Sequence, residues 1–279
     1  MTDPAVVKAS DRSFPPALQM IADPPPRLWV LGRLPESAGV AVVGTRRATR
    51  YGLGLAREMG QAIASAGWVV VSGLARGVDG AAHRGCLDAG GQGVAVLGSG
   101  VDVWYPPEHR GLGEDLITAG GAVISEYPPG TRPEPWRFPA RNRIISGLSA
   151  AVVVTEAAEK GGALITARLA AEQGREVFAV PGDVSRPTSE GTNRLIRDGA
   201  HPVVGAEDLI EALSLVLGPP PAESRPAQPS RELDIPPGGA SVEAVIEANG
   251  GDAARVLTVL GRLEAEGSVK IEQGDVFAV

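Results

Sequence analysis

Residues 40–47 have the sequence VAVVGTRR, in which four small apolar residues run directly into a glycine, a hydroxyl residue and two arginines. A short, continuous Val-rich run closed by Gly is typical of a parallel strand that is buried on both faces. Further runs of this kind lie at residues 68–71, 94–97, 122–124, 151–154 and 177–180. Their repetition predicts a mostly parallel sheet at the centre of the protein.

Helical patterns separate these runs. Between Gly52 and Ala66, apolar residues recur at helical spacing, and Gly67 follows as a stop signal. Further helices are predicted at residues 76–89, 108–119, 162–173, 189–198 and 206–217. Strands that alternate with helices predict an α/β fold with a doubly wound, mostly parallel sheet and helices on both faces. Ligands of such folds bind at the C-terminal ends of the strands.

The proline content divides the chain into four predicted parts. Residues 1–35 are rich in proline and are expected to form an irregular N-terminal extension. Residues 36–217 contain the alternating strands and helices and are predicted to form the main domain. Residues 218–239 are again rich in proline, which is typical of an extended linker. Residues 240–279 form the last part.

This last part has a different pattern. Residues 241–249 and 252–266 are predicted helices, and a hairpin with a turn centred on Gly274 follows them. Two helices and a hairpin predict a small winged-helix-like domain. It is shortened, because no first helix is predicted before Ser241.

Composition limits the class of protein. The chain has 279 residues, of which 43% are hydrophobic, and a single cysteine, Cys86. One cysteine excludes an intrachain disulfide framework and a cysteine-rich zinc module. No apolar run approaches the roughly 18 residues of a membrane span, and the N-terminus lacks a signal pattern. We therefore expect a cytoplasmic protein without a membrane span.

Charge is distributed unevenly along the chain. The formal net charge is −7, which by itself argues against a nucleic-acid partner. Residues 217–279, however, carry five basic and ten acidic residues, so the first 216 residues hold a net charge of only −2. Two arginine clusters lie in that first part, at Arg46, Arg47 and Arg50 and at Arg132, Arg137, Arg141 and Arg143. Charge patterning alone leaves open whether they bind nucleic acid or form solvated loops.

The first motif is the turn Gly44-Thr45-Arg46 after the first strand. Glycine lets the backbone approach a ligand, a helix N-terminus offers unpaired N–H groups, and arginine can bind phosphate with two hydrogen bonds. The turn therefore predicts an anion site, with a tight turn and a surface arginine as the alternative. The Gly-x-Gly-x-x-Gly fingerprint of dinucleotide sites is absent, and Gly98-Ser99-Gly100 supplies only two of its glycines. No cofactor is expected.

The second motif is SGLARGVD at residues 72–79, followed by His83. On a helix, Asp79 and His83 lie on one face. They form either an acid–base pair or a hydrogen bond that fixes a turn, and the structural role is favoured. Three histidines without neighbouring ligands provide no metal set, and Cys86 lacks an adjacent base. Neither a catalytic residue nor a metal site is predicted.

The third motif combines arginines with aromatic residues. Arg141, Asn142 and Arg143 stand before an apolar helical stretch and are suited to bind successive phosphates of a strand. Trp136 and Phe138 beside them could stack on bases, or they could fill the core, the role favoured for Phe138.

The fourth motif begins with Lys160-Gly161-Gly162 and extends to Thr166. A glycine pair that opens a helix is suited to hold an anion, and Lys160 stands at its edge. A plain loop is the alternative interpretation.

In order and spacing, these motifs resemble those of the DNA processing protein A family (DprA, also called Smf). The resemblance covers about residues 15–215. The matching blocks are Gly44-Thr45-Arg46 with Tyr51-Gly52, residues 72–75 with Asp79 and His83, residues 97–102 with Tyr105-Pro106, and residues 125–131, 138–148, 164–167, 177–182 and 189–193.

The resemblance implies a Rossmann-like domain that binds single-stranded DNA without reading its sequence and is not an enzyme. It also implies a homodimer that protects incoming DNA and loads a RecA-type recombinase onto it in natural transformation and homologous recombination. Arg46 and the Arg141-Asn142-Arg143 block would form the basic pocket. The residues predicted to contact DNA are Gly44, Thr45, Arg46, Arg47, Arg50, Ser72, Gly73, Arg76, Gly98, Ser99, Gly100, Phe138, Arg141, Asn142, Arg143, Lys160, Gly161, Gly162 and Thr166.

The chain departs from the family pattern in three ways. The usual Ser-Gly-Ser after the basic residue is Gly161-Gly162-Ala163 here, which removes two hydroxyl donors. The N-terminal helical module of many members is not expected in this sequence. The winged helix is short and acidic, which argues against DNA binding by that part.

The alternative function is a nucleotide-binding N-ribosidic hydrolase of the Lonely guy type. The Pro-Gly-Gly-x-Gly-Thr-x-x-Glu motif of that family matches the residues after Lys160 poorly, because its catalytic glutamate falls on Arg168. A phosphate site would survive this change, whereas cleavage that uses the carboxylate would not. The DNA-binding function is therefore preferred.

Overall fold

The computed structural model describes residues 3–36, 39–221, 233, 235, 239–249, 253–265, 269–272 and 274–278. The chain forms two compact units, Met1–Ser224 and Arg225–Val279. Most of the predicted linker at residues 218–239 lies outside the described residues.

The first unit alternates strands with helices. Its strands are β1 (Ala5–Lys8), β2 (Arg27–Gly32), β3 (Gly39–Val43), β4 (Val69–Ser72), β5 (Gly93–Val96), β6 (Ala122–Ser125), β7 (Ser149–Val154), β8 (Glu176–Ala179) and β9 (His201–Pro202). Its helices are α1 (Pro16–Gln19), α2 (Arg50–Ser65), α3 (Val78–Asp88), α4 (Arg110–Thr118), α5 (Arg137–Gly147), α6 (Gly162–Glu172), α7 (Glu190–Arg197) and α8 (Ala206–Leu217).

The nine strands form one sheet in the order β1-β2-β6-β5-β4-β3-β7-β8-β9. All neighbours from β6 to β9 pair in parallel, whereas β1, β2 and β6 pair antiparallel. From β3 the chain proceeds outward through β4, β5 and β6, and then returns to the other side of β3 to form β7, β8 and β9. This reversal opens a crevice at the C-terminal ends of β3 and β7, where ligands bind in open α/β sheets.

The apolar run at β3 has side chains in two separate core layers. Val40 and Val42 pack into the layer on one face of the sheet, and Ala41 and Val43 pack into the layer on the other. All four residues are at most 3% exposed. A strand with two buried faces needs a continuous apolar sequence, which explains the absence of alternation.

Helices cover both layers. Met59 of α2 and Leu209 of α8 pack on one face, while Leu18 of α1, Ile144 of α5 and Ala167 of α6 pack on the other. The predicted fold class, a Rossmann-like doubly wound sheet with helices on both faces, is confirmed.

The N-terminal residues differ from the prediction. The sequence predicts that residues 1–35 are irregular, but β1 and β2 lie within them and extend the sheet beyond β6. Leu28 and Val30 of β2 are buried in the core. The apolar run at residues 28–31 is long enough for a strand that pairs with β6, and the flanking prolines mark its ends rather than an absence of structure.

Helices α2 and α3 pack closely through two glycines. A Cβ atom at Gly60 would collide with the backbone of Ala82, and one at Gly85 would collide with the carbonyl of Arg57. Gly54, in the same helix as Gly60, has open space at the corresponding position. Gly54 and Gly60 of α2 therefore serve different purposes.

We expect opposite effects from the same substitution at these two glycines. Gly54→Ala should raise the free energy of unfolding by up to about 1 kcal/mol, because alanine favours the helix. Gly60→Ala should lower it by about 1–3 kcal/mol, because the new methyl group separates α2 from α3. Urea unfolding of both variants measures the difference. Equal stabilisation by the two substitutions would disprove the close contact.

The second unit contains two helices and a small sheet. Its elements are β10 (Ala240–Ser241), α9 (Val242–Ala248), α10 (Ala253–Ala265), β11 (Val269–Glu272) and β12 (Asp275–Ala278), with the strand order β10-β12-β11. Both helices and the hairpin lie where the sequence predicts them, and β10 is additional. The assignment as a winged helix stays a prediction. In the part of the chain described here, no helix is long and apolar enough to cross a membrane.

Candidate nucleic-acid interface

A cleft of about 540 Å³ opens at the point where the strand order reverses. It lies between the residues that follow β3 and those that follow β7, with α5 along its side. The polar and charged side chains of its lining come from Thr45, Arg46, Arg47, Asp79, Tyr105, Arg141, Asn142, Lys160 and Thr166. Four of these residues are basic and one is acidic, so the lining favours an anion.

Arg46 reaches the cleft from the turn after β3. Its side chain is exposed, and its guanidinium lies 4.8 Å from the centre of the Phe138 ring. The Phe138 ring in turn lies 5.2 Å from that of Tyr105. Phe138 therefore carries Arg46 on an aromatic support, an arrangement that fixes the cation without neutralising its charge.

The turn itself is held by backbone contacts. Thr45 N–H donates to the carbonyl of Glu156 at 2.7 Å, and its carbonyl accepts from Val78 N–H at 3.3 Å. Gly44 and Gly77 lie where a side chain would collide, with Val78 and with the Thr45 backbone respectively. Close packing of the loops after β3 and β4 thus presents Arg46 to the cleft.

At the N-terminus of α2, next to the turn where an anion site is predicted, side chains of the protein itself lie close to the backbone N–H groups. The helix begins at Arg50, and its N-cap Thr49 accepts a hydrogen bond from Gly52 N–H at 3.1 Å. The buried carboxylate of Glu156 accepts from Thr49 N–H at 2.9 Å and from its hydroxyl at 3.3 Å. A carboxylate of the protein therefore occupies the position at which a Rossmann dinucleotide site holds pyrophosphate.

The N-terminus of α6 is open by comparison. Gly161 is its N-cap and makes no side-chain capping bond, and exposed Lys160 precedes it. Lys160, Gly161 and Gly162 all line the cleft. Asn142 Nδ2 donates to the carbonyl of Gly162 at 3.2 Å, which attaches this end of α6 to α5. The backbone N–H groups at the start of a helix, together with the lysine, suit a phosphate group.

Arg141 lies beneath the cleft and is only 3% exposed. Its Nη1 donates to the carbonyl of Gly73 at 2.9 Å and to that of Val96. Asp79, also buried, accepts from Gly73 N–H at 3.1 Å and from Ala75 N–H at 3.4 Å. Arg141 and Asp79 therefore hold the loop after β4 from two sides and attach it to the end of β5.

Burial changes the protonation of both groups. Burial raises the pKa of Asp79, and the charge of Arg141 opposes that shift. Burial lowers the pKa of Arg141 to about 10, and Asp79 opposes that shift in turn. Each of the two groups therefore stabilises the charged form of the other at a site that water reaches poorly.

Arg143 points away from the cleft, which contradicts the predicted pocket of Arg141, Asn142 and Arg143. It binds the carboxylate of Glu126 through both terminal nitrogens, at 2.8 and 2.7 Å, and its Nε lies 2.9 Å from a carboxylate oxygen of Asp23. The block lies inside α5 rather than before a helix. Successive helical residues point about 100° apart, so two arginines two positions apart face different neighbours.

The remaining predicted residues divide into three groups. Ser72 and Ser99 are buried and donate to the carbonyls of Val42 and Val103, each at 2.7 Å. Gly73 and Arg76 line a smaller depression beside the cleft, where Arg76 Nε lies 2.5 Å from a Glu108 carboxylate. The buried pair Gly98 and Gly100 and the exposed Arg50 do not line the cleft.

Asp79 and His83 do not form an acid–base pair. His83 is fully buried, and its two ring nitrogens find no hydrogen-bond partner within the described ranges. Burial, followed by the charges of His109 and Arg141, lowers the pKa of His83 to about 3. Burial also raises the pKa of the Cys86 thiol to about 12. Neither group is suited to proton transfer or nucleophilic attack near neutral pH.

The described residues contain no group of three or more His, Cys, Asp or Glu side chains that could hold a metal ion. The sequence did not predict the roles of two residues in this region. Glu156 accepts hydrogen bonds at the N-terminus of α2, and Tyr105 lines the cleft and contacts the Phe138 ring. Glu156 follows the last buried residues of β7, and a carboxylate at a strand end was the available signal.

Comparison with known proteins is consistent with this geometry. The family model of DNA recombination-mediator protein A matches residues 5–214. Protein Smf of Escherichia coli is 39% identical over an alignment that covers 96% of this chain and 76% of its own length. Protein Smf of Synechocystis is 43% identical over 77% of this chain, which spans 55% of that relative.

A solved structure shows the same fold. This chain superposes on DNA processing protein A of Helicobacter pylori with a TM-score of 0.65 at 29% identity. That structure was reported for the mode in which the protein binds single-stranded DNA. The match covers 74% of this chain and 98% of that one. With the family model matching most of the first unit, the chain belongs to the family of DNA recombination-mediator protein A, the DprA/Smf proteins of DNA processing.

Proposed function

We propose that the protein binds single-stranded DNA without sequence preference and loads a RecA-type recombinase onto it. The observation that carries this proposal is the cleft, which combines the exposed side chains of Arg46, Arg47 and Lys160 with the N-terminus of α6. These groups recognise phosphate, which is common to all sequences. The family description as a recombination mediator and the single-stranded DNA binding mode of the H. pylori relative support the same function.

Within this proposal, the predicted DNA contacts are best supported at the cleft. Arg46, Arg47, Lys160 and the backbone of Gly161 and Gly162 would hold phosphates. Arg141 and Asn142 would act by holding the loops and helices that carry those groups. The buried Ser72 and Ser99 would serve the loops in the same way.

A homodimer in the cytoplasm belongs to the same proposal. Leu215 of α8 is 82% exposed and Val204 is 76% exposed, so this end of the sheet offers apolar surface to a second copy. Residues 110–120 offer less apolar surface, because Leu112 and Leu116 are buried.

DNA binding is tested by fluorescence anisotropy with oligonucleotides of unrelated sequence. We expect equal affinities within about threefold, and an affinity that falls steeply between low and physiological salt because phosphate contacts release counterions. Recombinase loading is tested by ATP hydrolysis of a RecA-type protein on a strand already coated with single-strand-binding protein, which this protein should accelerate. Binding that ignores salt would contradict the proposed site.

The same preparation tests the alternative hydrolase. Arg168, at the position of the catalytic glutamate in that family, is exposed, pairs with Glu172 at 3.5 Å and does not line the cleft. We therefore expect no release of adenine from AMP. Release of the free base at an enzymatic rate would support the hydrolase and contradict the proposed DNA-binding function.

A further inference from the structure

We propose that Trp136 is a stacking platform for one unpaired base of the bound strand, located just outside the cleft. This proposal rests on the proposed function, since it extends the path of the same DNA strand. Its ligand is a nucleobase, recognised by its aromatic face rather than by its hydrogen-bonding edge.

Trp136 lies at the rim of the cleft. It is the residue immediately before α5, and both the preceding residue, Pro135, and Phe138, two positions further along the chain, line the cleft. Its side chain nevertheless points outward, and the residue is 58% exposed. A strand that leaves the cleft past Phe138 therefore meets the indole next.

The indole is held in place by its neighbours. The guanidinium of Arg137 lies 4.9 Å from the Trp136 ring and 5.0 Å from the Tyr127 ring. Tyr127 meets the indole edge-on, with ring centres 6.4 Å apart. The indole Nε1 donates to Glu134 at 3.2 Å. An aromatic ring fixed before binding loses little conformational freedom when a base stacks on it.

The support beneath the indole is itself anchored. Arg137 donates through Nη1 to the carbonyl of Arg132, and its backbone N–H donates to the carbonyl of Glu134 at 3.0 Å. The loop before α5 therefore closes on itself around the arginine. The position of Trp136 does not depend on a ligand.

The exposure of Trp136 is unusual within this chain. Trp68 is 3% exposed, and Trp29 and Trp104 are partly buried against the core. A large aromatic side chain that is braced but not covered indicates a contact surface. Because Arg132 and Arg137 stand beside it, the surroundings favour a polyanion over an apolar protein partner. Stacking on aromatic side chains tolerates every base, consistent with binding that ignores sequence.

The test compares strands with and without bases. Trp136→Ala should weaken binding of an oligothymidine by about 5- to 150-fold, the range measured for loss of one base–aromatic stack. Trp136→Phe should retain most of the affinity. On an abasic sugar-phosphate strand of the same length, wild type and Trp136→Ala should bind equally. The salt dependence should not change, since the indole contacts no phosphate.

Three results would overturn the platform. They are wild-type affinity of Trp136→Ala for oligothymidine, an equal loss on the abasic strand, and a reduced salt dependence. Circular dichroism of Trp136→Ala, with Trp136→Phe as the matched variant, separates loss of stacking from loss of folding. Failure of the wild-type protein to bind any strand would instead remove the proposed function, and the two failures are thereby distinguished.

Discussion

Replacing Arg141 by methionine is expected to lower the free energy of unfolding by about 3–5 kcal/mol, because it removes the larger of the two arginine charges, those of Arg141 and Arg46, that favour the buried carboxylate of Asp79. Methionine keeps most of the volume of the arginine stem, so the effect is chiefly electrostatic. Arg141 also satisfies the carbonyls of Gly73 and Val96, which would become unpaired in a buried place. Urea unfolding measures the loss.

The size of this loss should depend on pH. Burial raises the pKa of Asp79 above its unfolded value, so its contribution to stability is largest at low pH and is lost as the pH rises through the folded pKa. Removing Arg141 takes away the charge that lowers this pKa and raises it further. The deficit of Arg141→Met should therefore be smaller near about pH 5 than near about pH 8, because protonation neutralises the orphaned carboxylate.

A double-mutant cycle isolates the pair. Asp79→Asn in the Arg141→Met background should recover part of the loss, because the asparagine is neutral. Additive effects of the two substitutions, or a deficit that does not change with pH, would show that Arg141 acts through packing and its hydrogen bonds to carbonyls, and not through the charge of Asp79.

The role of Arg141 also shows how far sequence reasoning reaches. The block at residues 141–143 is basic, and composition correctly indicates that arginines gather near the cleft. Sequence does not show which face of a helix each residue occupies until the start of the helix is known. Once α5 begins at Arg137, Arg141 points to the strand ends and Arg143 to Glu126.

The strand pattern was more informative, for a physical reason. A strand such as β3, buried on both faces, requires several consecutive apolar residues, and few other structures do. Six runs of this kind correctly predict the positions of β3 to β8. They therefore also predict the edge of the sheet at which the cleft lies. Strands β1 and β2 were not predicted, because the many prolines of residues 1–35 are typical of irregular structure. The apolar run in β2, at residues 28–31, is only four residues long.

Contacts between residues that are far apart in the sequence could not be predicted from it. Glu156 and Thr49 are 107 positions apart, and nothing in either segment shows that they meet. Their contact nevertheless decides which helix end at the crevice can accept a phosphate. The α2 end is filled by Glu156, so an external anion is directed to α6 and to Arg46.

The second large effect concerns those two groups. The double variant Arg46→Ala, Lys160→Ala is expected to weaken binding of single-stranded DNA by at least about 3 kcal/mol, roughly 150-fold, since each hydrogen bond to a charged group contributes about 1.5–3 kcal/mol. Both side chains are exposed, so the fold should be unaffected. Loss of two phosphate contacts should also lower the slope of log affinity against log salt by about 1.4.

The matched control removes the same charge elsewhere. Arg33 and Arg84 are exposed and do not line the cleft, so Arg33→Ala, Arg84→Ala has the same net charge as the cleft variant. It should bind DNA within about threefold of wild type, because charges beyond a Debye length are largely screened. Equal losses in the two double variants would mean that overall charge, and not the cleft at the end of β3 and α6, attracts the strand. A loss confined to the cleft variant, with the smaller salt slope, requires that Arg46 and Lys160 contact phosphate directly.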